Sequence, residues 1–176
     1  ILARKRYFRE PSFMVEILFI VYFTILFVIY VFMTIKESRT NNHRSAKIKD
    51  LRISKKKMVE TVLQWCETNH SIPKKRGKLS YKINYYNHTK LEGCYCGYTK
   101  NITVYITPEK RIIDVLDTLL HEYKHHIDMR TQKEVKLYFK QLSEFGYDSH
   151  PMEISAREFA KQHRDECFET FKNNWL

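Results

Sequence analysis

The stretch Arg111–Met129, RIIDVLDTLLHEYKHHIDM, decides how this chain is read. It contains neither Gly nor Pro, Pro108 stands just upstream, and Asp114 and Asp117 fall in the early turns. Those signals predict a helix. Ile113, Leu116, Leu120, Tyr123 and Ile127 recur at the three-four spacing of a buried stripe. His121 and His125 share a second stripe with Asp114, Asp117, Thr118 and Asp128. An apolar stripe beside a polar one suits a helix that lines a cleft. A solvated helix with two surface histidines is the plainer reading.

Within this helix His121-Glu122-Tyr123-Lys124-His125 forms the pattern HExxH. Histidines four apart lie on one helical face, so both imidazoles can point at one metal ion. A glutamate beside the first histidine can take a proton from a metal-bound water. A zinc site of this kind needs a third protein ligand and keeps its fourth position open. Downstream, His150-Pro151-Met152-Glu153 opens a second helix, with Pro151 in the first turn, where its missing N–H costs nothing. Glu153 shares a face with Ala156, Ala160 and Cys167, and small residues there allow the close helix approach that a carboxylate ligand needs. Alternatively, Glu153 complements the positive helix N-terminus or closes a capping interaction.

HExxH followed, after a short helical hairpin, by Glu153-x-x-Ala156-x-x-Phe159-Ala160 resembles the gluzincin zinc metallopeptidases. The small size and the strand-before-helix arrangement are similar to the minigluzincin and ImmA/IrrE group, and larger membrane-bound gluzincins of the CAAX-protease and HtpX type use a similar pairing. The resemblance covers roughly residues 80–171. It implies a zincin-like α+β domain, a short mixed sheet with an active-site helix and C-terminal helices. It also implies one Zn²⁺ held by His121, His125 and Glu153, with Glu122 as the catalytic base, and hydrolysis of peptide bonds in a protein or peptide substrate. One departure is Lys124, where many relatives carry Gly just before the second histidine. No Gly-rich turn with a third histidine follows, which excludes the metzincin pattern. An inactive zinc-binding or scaffolding relative would keep the same ligands.

Three further residues invite a role near the metal. Tyr147 and His150 precede the Glu153 helix and are either oxyanion donors or plain loop residues. Asp128 follows His125 by three residues and either orients a ligand imidazole or is a solvated carboxylate. His126 is rotated about 100° from His125 and is read as a non-ligand.

The surrounding elements give an α+β layout. An amphipathic helix is expected over Ile48–Asn69, carrying Leu51, Met58, Val59, Val62, Leu63 and Cys66 and ended by Ile72-Pro73. Strands are expected near Leu79–Tyr86, Gly93–Gly97 and Tyr98–Thr107, with Glu92-Gly93 as a turn signal. Ile102, Val104 and Ile106 alternate with Thr103, Tyr105 and Thr107 at the strand period. By the zincin resemblance, Asn101, Ile102, Thr103, Val104, Tyr105, Ile106 and Thr107 would form an edge strand that pairs with extended substrate. An ordinary buried-edge strand satisfies the same pattern. Helices near Thr131–Phe145 and Pro151–Asn173 complete the domain.

At the N-terminus, Ile17–Ile35 is a run of nineteen residues without a charge. At about 1.5 Å per residue it spans close to the ~30 Å hydrocarbon core of a bilayer. A signal peptide would have a shorter apolar region and end at small residues, but Thr34-Ile35-Lys36-Glu37 offers no such site. The expected organisation is a basic flank 1–12, a transmembrane helix 13–35, a polar basic linker 36–46 and the metallopeptidase-like domain 47–176. Lys36, Arg39, Arg44, Lys47, Lys49, Arg52 and Lys55 follow the span, against Arg4, Lys5, Arg6 and Arg9 before it, which favours a cytoplasmic domain. Asn69-His-Ser71, Asn87-His-Thr89 and Asn101-Ile-Thr103 would be glycosylation acceptors on the opposite side.

Cys66, Cys94, Cys96 and Cys167 form neither a disulfide framework nor a paired CxxC zinc site, and they fit a reducing compartment. The net charge is +11, much of it in Lys36–Lys57 and Lys74–Lys82. Beside a membrane span such clusters contact anionic head groups. Nucleic-acid binding is the competing use, with Tyr81, Tyr85, Tyr86, Tyr95 and Tyr98 as stacking surfaces, although no nucleic-acid-binding motif accompanies them.

Overall fold

A computed structural model describes residues 13–70, 79–86 and 91–176, with the backbone alone for 13–17 and 36–43. The basic flank 1–12, the Ile72-Pro73 break, most of the Lys74–Lys82 cluster and the Asn87 acceptor lie outside the described residues. The chain divides into two units between Asn42 and His43.

The first unit is helical. Helix α1 spans Phe13–Arg44, and its segment Leu18–Ile35, with mean hydropathy 2.6 and no buried residue, is long and apolar enough to cross a membrane. Its two threonine hydroxyls are satisfied internally: Thr24 donates to the Ile20 carbonyl at 2.7 Å and Thr34 to that of Tyr30 at 2.9 Å. The helix continues past Ile35 to Arg44, so most of the stretch expected to be a linker is helical. Residues 36–44 contain no Gly or Pro, and adding a residue to a formed helix is far easier than starting one.

The second unit is a mixed α+β domain. Lys47 bridges Arg111, and the Ile48 N–H donates to the Lys110 carbonyl at 2.8 Å. A single 3-10 turn follows at Ile48–Asp50, closed by the Asp50 carboxylate, which accepts from the Lys47 N–H at 2.8 Å. Helix α2 starts only at Lys55 and runs to Asn69, because Ser54 caps it by accepting from the Lys57 N–H. The amphipathic helix expected from Ile48 is therefore shorter by about two turns at its start. Met58, Val59, Val62, Leu63, Trp65 and Cys66 form its buried face.

Strands β1 (Ser80–Asn84), β2 (Gly93–Cys96) and β3 (Asn101–Tyr105) form one sheet in the order β1-β3-β2. Strand β1 runs parallel to β3 with Ser80 opposite Asn101, and β2 runs antiparallel to β3 with Gly93 opposite Val104. The segment Asn101–Thr107, read as the substrate edge, is thus the central strand, and β2 is an edge. The short connection through Gly97–Lys100, with Lys100 at φ 53°, folds β2 back onto β3. With β1 on the other side, both sides of the β3 backbone are already paired.

Helix α3 (Ile112–Asp128) lies against this sheet and between α2 and α5 (Pro151–Trp175). Being covered on several sides, it buries Ile112, Val115, Leu119, Glu122 and His126 in addition to the Ile113, Leu116, Leu120 and Tyr123 stripe. Ala156 and Ala160 on α5 are fully buried, and Arg164 reaches across to Asp117 at 3.2 Å. Helix α4 (Gln132–Phe145) opens on a capping box between Thr131 and Glu134. Val135 is its only fully buried residue. Val135 sits over Gly97, where an added Cβ would lie 2.5 Å from the valine Cγ2. Only a residue without a side chain lets α4 come this close.

Candidate metal centre

Helix α3 presents His121, Glu122 and His125 to a cleft whose opposite wall begins with α5. The first turn of α5 delivers Glu153, and His150 fixes that turn. The His150 Nδ1 accepts from the N–H groups of Met152 and Glu153 at 3.0 and 3.4 Å, and its Nε2–H donates to the Tyr138 carbonyl at 3.0 Å. His150 is completely buried. It is an N-cap and a tie between α4 and α5, and its two ring nitrogens are both engaged. The oxyanion-donor reading of His150 is thereby corrected. His150→Ala is expected to lower stability by about 1–2 kcal/mol through loss of the cap, measured as a fall in the denaturant midpoint of the protein; an unchanged midpoint would refute that role.

The candidate ligand atoms converge. His121 Nε2 lies 3.0 Å from Glu153 Oε2, His125 Nε2 lies 3.1 Å from Glu153 Oε1, and the two Nε2 atoms are 3.1 Å apart. These atoms lie within 4.8 Å of one another, so the group is able to hold a metal ion. Glu153 is buried. Burial alone would raise its pKa, but hydrogen bonding with His121, His125 and Tyr138 outweighs burial and holds it well below the usual carboxylate range. The result is a buried carboxylate kept ionised.

Glu122 lies beside the ligands and outside their set. It is buried, which pushes its pKa up; the two histidines oppose that effect, and the Tyr95 backbone N–H also favours the charged form. That amide comes from β2, which packs closely on α3: a Cβ on Gly93 would lie 2.6 Å from Thr118 Cγ2 and 3.3 Å from Glu122 Cγ. The side chain of Tyr95 adds a second tie, with its Oη 3.1 Å from His126 Nδ1. His126, read as a non-ligand, therefore joins helix to edge strand.

The cleft is a cavity of about 300 Å³ that contains His121, Glu122, His125 and Glu153, with Tyr138 and Tyr147 beside them. Tyr147 lines the cavity, and burial together with Glu153 pushes its phenol up to about 12. It is protonated near neutrality and able to donate. Asp128 is elsewhere engaged: it accepts from Lys124 at 2.5 Å, and His125 Nδ1 is buried without a hydrogen-bond partner among the described residues. The expected orienting role of Asp128 is corrected, because the i,i+4 spacing gives it to Lys124 first. Lys124, paired with Asp128, is not among the residues that line the cavity.

Sequence reading missed Tyr138, whose hydroxyl donates to Glu153 Oε1 at 2.6 Å. Its pKa is raised by burial and by the Glu153 charge. Its place on the Val135–Leu142 face of α4 was legible as helical periodicity, but its partner depends on how α4 meets α5. All four cysteines are free. Comparison with protein-family models, with curated proteins and with solved structures finds no match to this chain.

Proposed function

We propose that this chain is a membrane-anchored zinc metallopeptidase of the gluzincin type that hydrolyses peptide bonds in a protein or peptide substrate. The observation that carries the reading is the convergence of His121, His125 and Glu153 on one point with a buried carboxylate, Glu122, beside it and outside the ligand set. The donor set of two imidazoles and one carboxylate fits Zn²⁺, whose bonds of about 2.0–2.1 Å at tetrahedral angles place ligand nitrogens roughly 3.3 Å apart. The nitrogens here are 3.1 Å apart.

When bound, Zn²⁺ supplies Lewis acidity that acidifies water and polarises a carbonyl. Glu122 would accept the proton of the attacking water and pass it to the leaving amine, a role favoured by its raised proton affinity. Tyr138 fixes the orientation of Glu153, as outer hydrogen-bond partners of metal ligands do. Tyr147, protonated and more than half exposed, is placed to donate to developing negative charge. Substrate would lie extended along β2, whose residues line the cavity, with its backbone completing the sheet edge.

Chelation tests the reading most directly. Hydrolysis of an unstructured protein such as casein should vanish with a strong chelator and return with stoichiometric Zn²⁺. Turnover that survives complete metal removal rules the mechanism out.

The segment Leu18–Ile35 would anchor the chain, with the basic residues after it on anionic head groups and the catalytic domain on the cytoplasmic side. The full chain should resist carbonate extraction, and a chain beginning at Lys36 should not. Digestion of the domain by protease added outside sealed, right-side-out vesicles would refute the cytoplasmic placement.

A further inference from the structure

We infer that Tyr95 and His126 are a positioning pair that pins the edge strand β2 to the helix carrying Glu122, so that the strand along which substrate lies and the base keep one fixed spacing; the inference rests on the peptidase reading and adds two residues to its site. Tyr95 grips α3 at two places. Its backbone N–H hydrogen-bonds to the Glu122 carboxylate. Its side-chain Oη lies 3.1 Å from Nδ1 of His126, and the two rings meet edge to face with centroids 5.5 Å apart. Glu122 and His126 are four residues apart, so they lie one above the other on the same face of the helix. A single residue of the strand therefore holds two successive turns of α3.

The local sequence builds this contact. Strand alternation turns Tyr95 towards the core while Cys94 and Cys96 on either side of it are exposed. Gly93 lets the strand approach, since a Cβ there would lie 2.6 Å from Thr118 Cγ2. His126 is 5% exposed, with the Tyr123 ring packed beside it at 5.9 Å between centroids. His126 is also rotated about 100° from His125, so one step along α3 turns from the metal side to the strand side.

Packing alone would not need these two side chains. A phenylalanine at 95 and a leucine at 126 would fill similar space without burying polar atoms that require partners. What the hydroxyl and the imidazole add is direction: apolar surfaces slide over one another, whereas a hydrogen bond of this length holds one height along the helix. The need is acute here because β2 is a four-residue strand at the sheet edge, held on one side by β3. A substrate paired with β2 moves with that strand, and Glu122 moves with α3. Misplacement of a reacting group by about 1 Å costs roughly 10²-fold in rate, so a tie between the two elements acts on turnover more than on binding. Neither residue touches the reacting atoms; both act through Glu122.

The test uses the zinc-loaded full-length protein in lipid nanodiscs, with fluorescein-labelled casein as the probe. Tyr95→Phe and His126→Leu should each lower kcat by roughly 10–100-fold and change KM by less than about twofold, with zinc content unchanged. The double variant should be no worse than either single one, because both delete the same bond. His126→Asn keeps a polar group near the Nδ1 position and should recover most of the kcat lost in His126→Leu. A second readout needs no turnover: hydrogen exchange at amide 95 should quicken by at least about tenfold in Tyr95→Phe, while amides 103 and 104 of β3 stay as in the parent. Should Tyr95→Phe not fold, the His126→Asn and His126→Leu comparison carries both readouts. Parental kcat in Tyr95→Phe, a loss confined to KM, or additive losses in the double variant overturns the pair. Quickened exchange at amide 95 in a protein whose parent hydrolyses nothing would uphold the tie and remove the peptidase reading; hydrolysis by the parent with amide 95 unchanged in the variants would do the reverse.

Discussion

Glu122→Gln is expected to leave the metal content unchanged and to lower peptide hydrolysis by about 10²–10⁴-fold, the contribution of a positioned general base. Glutamine keeps the length and shape of the side chain in a buried position and still offers an oxygen to the Tyr95 N–H that approaches the carboxylate. It cannot accept the proton. The ligand atoms come from His121, His125 and Glu153, so the substitution takes nothing from the metal. Metal analysis and casein turnover belong on the same preparation. A variant that cleaves as fast as the parent sinks the mechanism. A variant that loses its metal would mean that Glu122 is itself a ligand. A parent that holds metal but cleaves none of a broad peptide set would favour the inactive relative.

Glu153→Ala should weaken metal binding by more than the roughly 10–100-fold that follows loss of an outer hydrogen-bond partner. Tyr138→Phe removes such a partner and should fall within that range. The two variants therefore make a graded pair. Alanine deletes the oxygens that lie 3.0 and 3.1 Å from the histidine nitrogens, whereas phenylalanine leaves them in place and loses only the hydroxyl that donates to Oε1. Competition against a chromogenic chelator measures both. Full affinity in Glu153→Ala would show that the third ligand has been misassigned. A Tyr138→Phe protein as weak as Glu153→Ala would shift the emphasis from ligation to the positioning of α4.

The correction at the sheet bears on how substrate would be held. With β3 paired on both sides, backbone recognition of a substrate would pass to β2, the strand whose amide at Tyr95 also contacts Glu122. One edge strand would then align the peptide and position the base together. Gly93 permits this contact, because any larger residue would meet Thr118 and the Thr103 carbonyl.

Much of the site was legible because it rests on one helical repeat. His121, Glu122 and His125 are placed by the i,i+4 geometry of a helix without breakers, and no other part of the fold can rearrange that relation. Glu153 was legible with less support, through Pro151 and the small residues Ala156 and Ala160 that permit close packing. The α+β character and the apolar N-terminal run follow equally from local periodicity. What sequence reading mistook or missed depends on which partner a group reaches first in space. Asp128 meets Lys124 before any imidazole, His150 turns inward to cap α5, and Tyr138 meets Glu153 only because α4 folds over Gly97. Strand order is the same kind of fact: alternation shows that Ile102, Val104 and Ile106 face one way, but pairing on both sides of β3 is settled by where β1 and β2 arrive. Periodicity is a property of the local backbone and is carried by the sequence itself, whereas hydrogen-bond partners and sheet edges are assigned by competition among distant groups and exist only in the tertiary structure.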